Sequence, residues 1–272
     1  MRKIMTLVNI EVNRIFKFLT AILGLYAVIQ TMYTIVLINN EKTRMLEASK
    51  ESGLTMEQYI GYSFVNPYYW SSFVKNRAAF MGGAAVCILI LIYGLIIWYR
   101  EWFGNNKVVY TLMMLPVDRT KIYISKFITM LMLIFSMLTA FVIVQFINYM
   151  LVVNMLSQYI KMDISFISFI YYNNSLSFIP VNILEFSIYI SEILIVVALI
   201  FLFVHLEISY KLKGAALGII LGAAYLGILF LLLTSSNILI KEKLLSITLF
   251  NVIAVCISGT FSRFLLKNKV RV

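Results

Sequence analysis

Six stretches of the chain are apolar on every face for about the 20 residues that a lipid-spanning helix needs. They are Phe18–Ile38, Ala78–Trp98, Phe127–Val153, Val181–His205, Gly214–Thr234 and Leu244–Phe264. Period-two alternation is absent from all of them, which argues against a β-barrel. The pattern predicts an all-α polytopic membrane protein with six transmembrane helices, forming one membrane domain over residues 1–272. Ahead of the first run the period changes. Ile4, Val8, Val12, Ile15 and Leu19 recur at helical spacing, while Arg2, Thr6, Asn9, Asn13 and Lys17 mark another face. Residues 1–17 are therefore expected to form an amphipathic helix lying in the interface. The first run is too long for a signal-peptide core and lacks a small-residue cleavage site, so it reads as a permanent span.

Between the second and third runs lies a polar interruption, REWFGNNKVVYTLMMLPVDRTKIYISK, residues 100–126. Its middle predicts a short helix with Val108, Val109, Leu112 and Met113 on one face. Pro116 disfavours helix at Leu115 and ends it. Asp118 then fits the N-cap of a second helix that starts at Arg119 and runs directly into the third span. Helix, sharp break and re-entry make a segment able to transmit force, which a slack loop is not.

Composition sharpens the class. Apolar residues are 62% of the chain and charged ones 13%, about half the charged share of an ordinary soluble protein. The net charge of +11 is unevenly distributed. With both termini in the cytosol, the inner segments carry fifteen basic residues and four acids, and the outer ones eight basic residues and six acids. The positive-inside rule therefore predicts N-in, C-in. A charge that flanks anionic headgroups calls for no nucleic acid. Cys87 and Cys256 both fall inside spans and read as packing residues, without disulfide or metal spacing.

Little in the chain supports catalysis. His205 is the only histidine, placed at the inner end of the fourth span as an interfacial residue. Asp118 and Asp163 lie in loops, so no intramembrane aspartate pair exists. The chain also has no GxxxxGK[ST] phosphate loop and cannot hydrolyse ATP by that route. Inside the spans, Glu185 and Glu192 stand two turns apart on one helical face. They and Gln145 are candidate pathway residues, against the plainer readings of a solvated, protonated or helix-paired acid. Gln145 and Asn148 also suit interhelical hydrogen bonds. Gly214, Gly218 and Gly222, each four residues apart, predict a close helix contact, in the same chain or with a second copy.

Six spans, the N-terminal amphipathic helix, Glu101 and Gly104 just after span two, and the run LMMLPVDRTKIYISK together resemble the permease subunits of ABC-2-type transporters. Leu115, Pro116, Val117 and Arg119 match the family's Leu-Pro-Val-Ser-Arg pattern, Asp118 replaces its serine, and Lys126 takes the basic position before span three. The resemblance covers the whole chain as topology and about 25 residues as motif. It implies that Glu101, Gly104, Lys107, Val108, Tyr110, Leu112, Met113 and Arg119 dock a separate cytosolic ATPase, which holds the ATP and Mg while this chain binds no cofactor. It further implies a pair of permease copies, alike or related, among membrane lipids. The family's re-entrant helices between spans five and six have little room here. The small outer segments fit export of an amphipathic peptide, a toxin or antimicrobial, from a bacterial cytoplasm. The alternative is a non-transporting immunity or sensor protein that binds a peptide through residues 39–77 or 154–180.

Overall fold

The computed structural model describes residues 2–53, 55, 58, 77–103, 118–156, 165–172, 180, 182–234 and 240–269. Among these the chain forms seven helices: α1 (Arg2–Glu51), α2 (Arg77–Phe103), α3 (Arg119–Leu156), α4 (Phe166–Tyr172), α5 (Ile183–Tyr210), α6 (Leu212–Thr234) and α7 (Ile240–Asn268). All but α4 are long and apolar enough to cross a membrane, which makes this a multi-pass membrane protein.

The first helix departs from expectation. No turn separates residues 1–17 from the first span, because α1 is a single helix of 50 residues. The reason is local: no glycine or proline occurs near residue 17, so nothing interrupts the i→i−4 ladder. One face stays buried along the helix, through Val8, Glu11, Ile15, Leu19, Tyr26, Gln30, Thr34, Ile38, Glu41, Met45 and Ser49. The amphipathic stripe of residues 4–19 is thus the first part of a packing face. At its other end α1 continues past Ile38 into the expected outer segment, helped by an i,i+3 pair between Arg44 and Glu41 (2.9 Å). It stops at Gly53, whose φ of +67° gives the left-handed residue that ends many helices.

The described residues divide into two compact units. One comprises residues 1–17, 88–135 and 182–272. Here α7 packs most extensively on α5, and α6 folds back along α5. The second half of α5 is buried on nearly every side, at Ile195, Val197, Ala198, Phe201, Leu202, Val204 and Leu206, so it forms the axis of this unit. Leu202 and Leu206 meet Leu265 of α7 there. The other unit comprises residues 18–87 and 136–181. In it Tyr26 meets Phe141 at 4.9 Å, and Phe166 and Phe169 of α4 stack edge-on against Tyr149 of α3 at 5.5 Å. Cys87 contributes to this packing as expected, 3.9 Å from the Met137 sulfur. Cys256 does not: it is exposed on α7.

The turn between α5 and α6 is tight. Lys211 adopts φ 56°, and its N–H bonds to Glu207 O at 2.7 Å before α6 begins at Leu212. A Cβ on Gly214 would stand 1.9 Å from Leu206 O, and one on Gly218 would stand 2.6 Å from the Phe203 ring. These two glycines therefore serve a contact within the chain. Gly222 departs from the stripe, since a Cβ there meets nothing within 4 Å.

Candidate functional site

The polar interruption begins where α2 leaves its apolar stretch and ends where α3 begins. Gly104, Lys107, Val108, Tyr110, Leu112 and Met113 lie outside the described residues, as does the expected short helix over 106–114. Its two ends are described, and both are tied into the surrounding helices.

At the first end, Ile97 and Glu101 lie one turn apart on one face of α2. Lys126, two turns into α3, reaches both: its Nζ donates to Glu101 Oε1 at 2.6 Å and to Ile97 O at 3.1 Å. Lys126 is 2% exposed and Glu101 3%. A third helix closes the cluster. Glu11 of α1 accepts from Arg100 Nη2 at 2.8 Å and from Arg14 Nη1 at 3.3 Å, and lies 3.9 Å from Lys126 Nζ. The Trp98 ring covers the ammonium at 4.9 Å, a cation–π contact. Trp98 in turn meets His205 edge-on at 4.4 Å and Phe201 at 5.5 Å. The charges are thus sealed from one side by aromatic rings.

At the second end, Asp118 directly precedes α3, and its carbonyl accepts the Lys121 N–H at 2.8 Å. Arg119 Nη1 donates to Leu266 O at 2.8 Å. Leu266 lies in the last turn of α7, where carbonyls lack partners within their own helix, so Arg119 caps another helix from the start of its own. Nearby, the Tyr99 hydroxyl donates to the Glu207 carboxylate and links α2 to α5.

Buried ion pairs add little net stability, because desolvation offsets the Coulomb gain, but they are strongly geometric. This cluster fixes the register of α1, α2 and α3 where the polar segment departs, and Arg119 fixes α3 to α7 where it returns. Two expected docking residues are tied into neighbouring helices: Glu101 is enclosed and bonded to Lys126, and Arg119 is half-buried against α7, so both anchor the segment. His205 is likewise not an interfacial residue; its ring is fully buried between Trp98 and Tyr123. No family model, curated protein or solved structure matches the chain.

The expected pathway residues are divided between the two units. Glu185 and Glu192 are half-buried on α5, with Glu185 accepting from Asn182 Nδ2 at 3.4 Å. Gln145 belongs to the other unit, where it and Asn148 are buried on α3; Gln145 Nε2 and both Asn148 side-chain polar atoms have no hydrogen-bond partner among the described residues. An interhelical hydrogen-bonded tie of the kind expected of these two residues forms around Asn251. Asn251 of α7 donates to Ser191 Oγ of α5 at 3.1 Å and accepts from the Tyr225 hydroxyl of α6 at 2.8 Å.

Reading by motif misses the partners of the anchors. Glu11 is the one acid among the first 40 residues, and it falls in register with Val8 and Ile15 on the buried stripe. An acid on the apolar face of a helix needs a buried cation, and that signal was available in the sequence.

Proposed function

We propose that the chain is the permease subunit of an ABC-2-type exporter, driven by a separate cytosolic ATPase that docks on the segment between α2 and α3. Both termini and this segment then lie in the cytosol. The substrate is amphipathic or hydrophobic, a peptide toxin or antimicrobial, and it moves outward between two permease copies. The observation that carries this reading is the double anchorage of the segment. Force applied between residues 104 and 117 reaches α2 and α3 through Glu101–Lys126, α1 through Glu11, and α7 through Arg119–Leu266. A loop without a mechanical role needs no charged anchor at either end. ATP and Mg belong to the partner, and this chain supplies helices and anchors.

The test is to separate hydrolysis from transport in vesicles that contain the assembled transporter. Arg119→Glu removes the cap on α7, and Leu112→Pro breaks the expected docking helix. In both, export is expected to fall by about tenfold or more, roughly 1.4 kcal/mol of lost coupling, while insertion stays normal. Unchanged export in both variants would overturn the assignment.

A further inference from the structure

A cleft of about 430 Å³ opens between α3, α5 and α7. Its walls are apolar and aromatic, with Tyr123, Phe127, Val255 and Cys256 among them, and Arg263 is the charged residue that lines it. This is the size of a small-molecule site. Its floor is open at Gly259, where a Cβ would meet nothing within 4 Å.

Arg263 is exposed and makes no ion pair with an acid among the described residues. After Glu242 the chain contains no acidic residue, while Arg263, Lys267 and Lys269 follow one another near the end of α7. Arg263 stands five residues before Asn268, the last residue of α7, roughly 8 Å of helix rise. That is headgroup depth for a spanning helix whose end carries lysines. An apolar slot that ends in an unpaired guanidinium at that depth matches one neighbour in particular. We infer that the cleft binds a single anionic phospholipid, with an acyl chain against Phe127 and Val255, the glycerol over Gly259, and the phosphate on Arg263.

The test uses the purified, delipidated full-length protein and native mass spectrometry, titrated with dioleoyl phosphatidylglycerol or dioleoyl phosphatidylcholine. The first phosphatidylglycerol is expected to bind at least about fivefold more tightly than phosphatidylcholine. Arg263→Gln should abolish that preference, and Lys267→Gln, which removes a charge outside the cleft, should leave it intact. Gly259→Leu starts from a position where a Cβ has free space, places a branched side chain in the slot and keeps the arginine, so it should weaken phosphatidylglycerol binding about as much as Arg263→Gln. Equal binding of the two lipids, or a preference that survives Arg263→Gln, would overturn the site. Equal losses from Lys267→Gln and Arg263→Gln would reduce it to general surface charge. Undiminished binding in Gly259→Leu, with inorganic phosphate displacing the lipid, would make it a free-anion site instead.

Discussion

Lys126 shows most sharply what single side chains do here. Its ammonium is 2% exposed and meets a carboxylate, a backbone carbonyl and an indole face within one turn of helix. Removing one partner of such a pair leaves the other charge buried, at a cost of about 3–5 kcal/mol. Lys126→Met and Glu101→Gln should therefore each lower the melting temperature in detergent markedly. The double variant should recover much of the loss, because neither charge remains. If the double variant lost the sum of the two, the pair would not be coupled. These residues were only partly legible in the sequence. Glu101, Arg119 and Lys126 stand out as charges beside a motif. Their inward direction follows from α1, α2 and α7 converging on them, and no local pattern encodes that convergence. For the same reason His205, read from its place at a helix end, proved to be a core side chain.

At the scale of elements, the apolar runs located the six long apolar helices among the described residues, because in lipid each backbone polar group must be satisfied within its own helix. What they did not locate is where helices continue beyond the hydrocarbon. The 50 residues of α1 rise about 75 Å at 1.5 Å each, more than twice the ~30 Å core, so hydropathy marks only its middle. The glycine stripe was legible as a close contact, but its partner was not. The hairpin of α5 and α6 divides it, with Gly214 and Gly218 against α5 and Gly222 in open space. Gly214→Ala should destabilise the hairpin by about 1–3 kcal/mol, whereas Gly222→Ala should leave the melting temperature unchanged. Lys211→Gly should raise it, by about 1 kcal/mol of relieved backbone strain at φ 56°. A thermal-shift series in detergent reads all three, and a stabilising Gly214→Ala would contradict the hairpin geometry. The tie from Ser191 through Asn251 to Tyr225 joins α5, α6 and α7. Asn251→Leu should cost about 1 kcal/mol, since hydrogen bonds between membrane helices average ~0.6 kcal/mol each.

Six of the described helices are long and apolar enough to cross a membrane, and many of their apolar side chains face outward. That exposure is ordinary in a bilayer, where hydrocarbon replaces water as the solvent and the driving force becomes packing. The charge bias of the sequence predicts N-in, C-in under the positive-inside rule, and under that proposal the α2–α3 segment, the charge cluster and the Arg263 cleft face the cytosol. In the proposed function, the segment between these two anchors is where an external protein moves the helices. The most direct test is to recover the tagged full-length chain from its host membranes in a mild detergent and identify what remains bound. A cytosolic nucleotide-hydrolysing subunit in stoichiometric amount, absent from the equally stable Leu112→Pro variant, is the predicted result. An intact wild-type chain that carries no such subunit through several mild detergents would contradict the coupling account.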